Sequence, residues 1–177
     1  LFYYSQIVVA TCRNEAKFGT ITTHSEKHFY RWADPYPHTV DDLEHGASGP
    51  NDQQRLVAGM LDRDNLLDLI RTFTLFSSNE KGHTIKLVGR YQQFRAVKLA
   101  VKRLLTGRNP RERSGIIWHT QGSGKSLTMM FMVREMYRHP ELSRWKVIFV
   151  TDRTQLEDQL VKNSRSIGFT WLTVSRS

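Results

Sequence analysis

Gly115-Ile116-Ile117-Trp118-His119-Thr120-Gln121-Gly122-Ser123-Gly124-Lys125-Ser126 is the stretch on which the fold of this chain turns. An apolar run enters a glycine-rich turn and leaves it on residues that suit a helix. Glycines at 122 and 124 let the backbone take conformations that a side chain would block, so successive amides can point into one concavity that fits phosphate oxygens. A helix starting near Lys125 adds its unpaired first-turn N–H groups and the positive end of its dipole. In such a loop Lys125 would neutralise the β- and γ-phosphates of a nucleotide, and the Ser126 hydroxyl would ligate Mg²⁺. The general pattern places a glycine where this chain has His119. Even so, the Gly-x-Gly-Lys-[Ser/Thr] core arises by chance in a chain of this length only roughly 1% of the time. The competing interpretation is a glycine-rich turn that binds nothing.

The surroundings repeat one alternation. Residues 125–138 suit a helix, Val147-Ile148-Phe149-Val150 is a second apolar run, and residues 154–161 suit another helix. Strand, helix, strand, helix with continuous rather than alternating apolar strands predicts a parallel sheet covered on both faces. Upstream, Phe94, Val97, Val101, Leu104 and Leu105 recur at three- and four-residue spacing with Arg95, Lys98, Lys102 and Arg103 between them, which predicts an amphipathic helix from Tyr91 to near Gly107 and Pro110.

The N-terminal half has a different character. Residues 2–29 mix apolar runs such as Ile7-Val8-Val9-Ala10 with the β-branched Thr20-Ile21-Thr22-Thr23, both expected as strands. Asp34-Pro35-Tyr36-Pro37 bars regular helix, and residues 46–51 have the composition of a linker or exposed loop. Leu56, Val57, Met60 and Leu61, then Leu66, Leu67, Leu69, Ile70 and Phe73, suit two short helices, with Asp64 as the expected N-cap of the second. A polar turn is expected over 79–83 and a strand over 84–88.

The chain has 177 residues, 39% hydrophobic and 24% charged, enough for one ordinary domain or two incomplete ones. No run of eighteen apolar residues and no signal-like segment occurs, so a cytoplasmic protein without a membrane segment is expected. Cys12, the single cysteine, cannot close an intrachain disulfide. The start at Leu1, inside an apolar stretch, suggests a piece of something longer. The net charge of +9 is unevenly placed: residues 1–89 carry 9 basic and 11 acidic side chains, whereas residues 90–177 carry 17 and 6. The second half therefore suits polyanions, with a merely arginine-rich surface as the alternative.

Weaker features have ordinary explanations. Glu15-Ala16-Lys17 has the form of half a metal-dependent nuclease site, but no acidic residue precedes Glu15, so a surface strand is expected. His24, His28, His38 and His45 lack cysteine or paired carboxylates at ligand spacing. Thr151-Asp152-Arg153 closes an apolar run, where ligand-facing loops of parallel sheets begin; helix capping explains it equally well.

Taken together, Arg90-Tyr91-Gln92-Gln93-Phe94-Arg95-Ala96-Val97, the 115–126 stretch, and Val147 to Leu156 with Gln159 resemble the first three helicase motifs of type I restriction enzyme R (motor) subunits, where His119 is unremarkable. Residues 2–32 resemble the end of that family's nuclease domain, and Asn65-Leu66-Leu67-Asp68-Leu69-Ile70 its connection to the motor. The resemblance implies an α/β chain: the tail of a nuclease-like α+β domain over 1–40, connecting helices over 41–89, and the first half of a RecA-like parallel-sheet P-loop domain over 90–177. It implies an ATP-dependent DNA translocase and endonuclease subunit that takes ATP and Mg²⁺, acts on double-stranded DNA and works with methyltransferase and specificity subunits. By the same resemblance Gln93, with Arg90 beside it, matches the adenine-recognising motif, and Gln121, Gly122, Ser123, Gly124, Lys125 and Ser126 match the phosphate and Mg²⁺ residues. Lys125 and Ser126 take the catalytic roles, and Arg153 is a candidate DNA phosphate contact. The family's nuclease carboxylates would precede Leu1 and its acidic Asp-Glu-x-His motif would follow Ser177. The piece alone is therefore expected to turn over little ATP. Alternatives are another superfamily 2 remodeller acting on RNA, or a basic nucleic-acid-binding module with a vestigial P-loop.

Overall fold

In the computed structural model, which describes residues 4–44, 46–78 and 82–150, the chain divides into two units, Leu1–Phe94 and Arg95–Ser177.

The first unit holds two small antiparallel sheets. Strands β1 (Val8–Thr11), β2 (Ala16–Gly19) and β3 (Tyr30–Arg31) pair in that order, with Val9 opposite Phe18 and Phe18 opposite Tyr30. Along β2, Ala16 and Phe18 are buried while Lys17 is partly exposed, the period of two that a half-covered sheet imposes. The segment Thr20-Ile21-Thr22-Thr23, expected as strand, is instead a turn. Threonine hydroxyls here serve backbone groups in place of a ladder: Thr20 N–H donates to Thr23 Oγ1 at 2.9 Å, and Thr20 Oγ1 donates to the Lys86 carbonyl at 2.8 Å. That second bond pins the turn to the other sheet, formed by β4 (Thr74–Ser78) and β5 (Thr84–Val88) with Leu75 opposite Leu87. β5 lies where the sequence places it, whereas β4 went unseen because Phe73 closes the preceding helical pattern without a break.

Between the sheets lie the two expected helical segments. Asn51 and Gln54 cap α1 (Asp52–Arg55) reciprocally, and the chain continues as a π turn over Leu56–Met60 closed by Leu61 N–H to Leu56 O at 3.1 Å. Helix α2 (Arg63–Arg71) is capped by Asp62, whose carboxylate accepts from the amides of Asp64 and Asn65, and not by Asp64 itself. The helix begins one turn earlier than its apolar residues announce, which puts Asp64 inside the first turn. The π turn brings Gly59 against the Asp34-Pro35 segment so closely that a Cβ there would sit 2.1 Å from Asp34 O and 2.7 Å from Trp32 Nε1. Asn65 Nδ2 locks the same contact, donating to Tyr36 O at 2.6 Å and Gly59 O at 2.7 Å. The core of this unit is an aromatic chain in which Phe18, Trp32, Phe94 and Phe73 follow one another at centroid distances of 5.7, 5.6 and 4.8 Å.

In the second unit, α3 (Tyr91–Thr106, begun in the first) buries Val97 and Val101 of the expected apolar face, whereas Leu105, also expected there, is exposed near the helix end. Short helix α4 (Pro110–Arg113) starts on Asn109, and α5 (Lys125–Tyr137) buries Met130, Phe131, Val133 and Met136. Helices α3 and α5 are joined by Glu135, almost fully buried, which receives Lys98 Nζ at 3.1 Å and Arg138 at 2.9 Å. The parallel sheet expected here is not formed among the described residues. Residues 116–118 and 147–150 carry no ladder, and Ile116, Trp118, Ile148 and Val150 are 91, 89, 83 and 91% exposed. A strand exists only through its neighbours, and apolar runs this short specify that they want covering without supplying the partner. Residues 154–161 lie outside the described residues. Among the described residues no helix is long and apolar enough to cross a membrane.

Because backbone cannot retreat from a Cβ at Gly59, Gly59→Ala should lower the unfolding free energy by about 1–3 kcal/mol, read from urea midpoints. Lys86 is buried, its ammonium held by Gln6 Oε1 at 2.6 Å, and burial lowers its pKa from the ordinary 10.5. The folded state thus releases this proton at a lower pH than the unfolded state, so stability should rise with pH across the window just below 10.5. Lys86→Met should remove that slope in urea titrations at successive pH values.

Candidate functional site

The loop ahead of α5 has the backbone that its sequence demands. Gly122 and Gly124 both lie in the left-handed region, at φ +77° and +81°, and Ser123 N–H closes the turn on Thr120 O at 3.3 Å. Gly124 is the N-cap of α5, so no side chain caps the first turn. The helix proper begins with Thr128 N–H to Gly124 O at 3.0 Å, leaving the amides before it outside the ladder. Lys125, the first helical residue, is exposed; Ser126 and Ser123 are half-buried and Gln121 is exposed. Two left-handed glycines, a helix start without a side-chain cap, an ammonium and a hydroxyl thus fall within five residues. That donor set suits a polyphosphate and the divalent cation that accompanies it. Among the described residues no three His, Cys, Asp or Glu side chains gather to hold a metal by themselves.

Arg90 and Gln93 lie in the first unit. Gln93, 3% exposed, accepts the Arg90 backbone N–H on Oε1 at 2.9 Å, the reciprocal half of a capping box at the start of α3. The Arg90 guanidinium lies over the ring of Tyr30, 3.9 Å from its centroid, and donates to the Tyr30 hydroxyl at 2.8 Å. Tyr30 was missed from the sequence. The usable signal was the alternation Tyr30-Arg31-Trp32, which puts two aromatic rings on one face of an extended segment. Arg153 lies outside the described residues.

Lys17 sits on β2 and pairs with Glu26 at 3.0 Å, an ion pair and hydrogen bond that raise its pKa. Glu15 precedes the strand and is exposed, in keeping with a surface strand. Both line an open cleft of about 550 Å³ with His24 and Glu26. His24, His28 and His38 are exposed; His45 lies outside the described residues.

Comparison with known proteins gives this loop a context. The SWI2/SNF2 ATPase family matches residues 92–176, a span that contains the whole loop and α5. Over nearly its entire length the chain is similar to type I restriction enzyme endonuclease subunits, as its motifs suggest. It is 33% identical to the HindI endonuclease subunit of Haemophilus influenzae over 94% of the chain and 16% of that protein. It is 29% identical to the putative MjaIXP endonuclease subunit of Methanocaldococcus jannaschii over 90% of the chain and 16% of that protein. The SauCOLORF180P endonuclease subunit of Staphylococcus aureus is 24% identical over 90% of the chain. The chain thus spans about one sixth of the length of the first two of these relatives.

A Cβ on Gly122 would meet nothing within 4 Å, so the demand for glycine there is conformational alone. Gly122→Ala should cost about 1–2 kcal/mol, and Gly122→Asn, whose side chain tolerates the left-handed region, should cost less. Equal losses in thermal unfolding of the two variants would contradict this account.

Proposed function

We propose that this chain is part of the ATP-driven, DNA-translocating endonuclease subunit of a type I restriction-modification system. Residues 1–40 would end a nuclease-like α+β domain, residues 41–89 connect it, and residues 90–177 begin a RecA-like P-loop domain. The observation that carries this proposal is the loop at 122–126, with both glycines in the left-handed region ahead of a helix that has no side-chain cap. The similarity to type I subunits along the chain supplies the context. The exposed, apolar 116–118 and 147–150 have the composition of strands in the parallel sheet of such a domain.

Each residue then has a role. Amides of residues 121–126 and the dipole of α5 bind the phosphates of ATP, and Lys125 neutralises the two terminal ones. The Ser126 hydroxyl would hold Mg²⁺, which would supply charge compensation for the transferring phosphoryl group. By the resemblance Gln93, with Arg90 beside it, would recognise adenine, which requires its buried amide to leave the hydrogen bond it makes to the Arg90 backbone, and Arg153 would contact a DNA phosphate. The basic second half suits double-stranded DNA, and the methyltransferase and specificity subunits complete the complex in the cytoplasm. Residues 122–126 supply binding and charge but no carboxylate to position the attacking water, so these 177 residues should bind ATP weakly and turn over little of it.

Calorimetric titration with ATP and Mg²⁺ tests this reading. Weak binding that Lys125→Ala abolishes is the expected result. Robust hydrolysis abolished by Lys125→Ala would overturn the expectation of little turnover. Salt-sensitive affinity for duplex DNA with no nucleotide binding would replace the reading with that of a basic nucleic-acid-binding module.

A further inference from the structure

We propose that the end of α3, helix α4 and the segment around Trp145 form a basic surface that takes the phosphodiester backbone of duplex DNA. The inference rests on the DNA-binding part of the proposed function and not on its nucleotide loop, and it concerns residues outside all three helicase motifs. Residues 102–115 carry five basic side chains and one acidic, and residues 141–146 carry two and one. Lys102, Arg103, Arg108, Arg111, Arg144 and Lys146 are exposed, and none of them forms an ion pair among the described residues. The carboxylate buried in this unit, Glu135, is already held by Lys98 and Arg138. Glu112, the acid within the first stretch, is turned to the preceding turn: its oxygens accept from Arg108 N–H at 2.8 Å and Asn109 Nδ2 at 2.7 Å.

Arg113 draws the two stretches together. Its Nε donates to Gly107 O at 2.9 Å, closing α4 back on the end of α3, and its guanidinium carbon lies 5.5 Å from the centroid of the Trp145 ring. A Cβ on Gly107 would lie 2.7 Å from Arg113 Cγ and 3.0 Å from Arg103 O, so a side chain there would push α4 off α3. Segments far apart in sequence thereby lie side by side. Each leads into one of the exposed apolar runs, 116–118 and 147–150, whereas the loop at 122–126 follows the first run. The basic surface and that loop are distinct stretches, and each can be altered without the other. The chemistry favours a polyphosphate over an acidic protein. Duplex DNA presents one negative charge about every 1.7 Å along its axis, and guanidinium forks match phosphate oxygens. Protein interfaces are depleted of charge at their centres, where this surface concentrates it.

The measurement is the affinity of the 177-residue chain for fluorescent duplex DNA over a series of salt concentrations, together with the thermal midpoint and ATP affinity of every variant. Arg108→Gln combined with Arg111→Gln should weaken DNA binding about tenfold at low salt and flatten the slope of log K against log salt by about 2. The thermal midpoint and the affinity for ATP should stay as they are. Arg108→Lys combined with Arg111→Lys keeps the charge and should keep the slope. Arg13→Gln combined with Lys27→Gln removes as much charge from exposed positions of the first unit and should also keep it. Equal losses in that control, a flattened slope in the lysine variant, or no loss in the glutamine variant of Arg108 and Arg111 would overturn the proposal while leaving DNA binding standing. If that glutamine variant lost affinity for polyglutamate and kept its affinity for DNA, the surface would belong to an acidic protein and the proposal would fall. Failure of the unsubstituted chain to bind duplex DNA would overturn the DNA-binding reading and this inference with it.

Discussion

Trp32 is the residue through which the first unit holds together. Its indole touches Phe18 of β2 on one side and Tyr91 and Phe94 of α3 on the other, and Gly59 of the π turn approaches its Nε1. Sheet, π turn and helix meet at this one side chain. Gly59 lacks a side chain where one would strike the ring, and Asn65 holds the π turn at that approach. Trp32 Nε1 is buried with no hydrogen-bond partner among the described residues, which costs about 1–3 kcal/mol. Full burial of the largest apolar side chain in this core offsets it.

What the sequence disclosed depended on how local each cause was. Helices α3 and α5 and strand β5 were legible because their patterns are complete within the segment. Apolar residues of α3 recur at helical spacing, and the glycines before α5 announce both a turn and a start. Asp64 was a near miss for Asp62: two acidic residues of similar capping strength lie two positions apart, and only the backbone decides between them. The threonine cluster failed for a different reason. β-Branched residues favour strands, but their hydroxyls also bond backbone, and here a carbonyl sixty-six residues away won that competition.

The candidate site divides in the same way. Gly122, Gly124, Lys125 and Ser126 are contiguous, so their chemistry could be read from spacing, and the backbone angles at both glycines agree with it. Tyr30 could not be found that way, since its relation to Arg90 exists only after β3 and the start of α3 have come together. The apolar residues 116–118 and 147–150 show the converse limit. Their composition states a preference for burial, but the partner that satisfies it is a property of a sheet and not of a segment.

The start of α5 differs from those of α1, α2 and α4. Helices α1, α2 and α4 begin on Asn51, Asp62 and Asn109, each lending an oxygen to first-turn amides, whereas α5 begins on a glycine that has none to lend. On the nucleotide-binding proposal, that role would fall to the bound anion. A phosphate group there would complete the helix in the act of being bound, so the energy that holds the ligand and the energy that finishes the secondary structure reside in the same hydrogen bonds. For this helix, affinity and local order are one quantity seen from two sides.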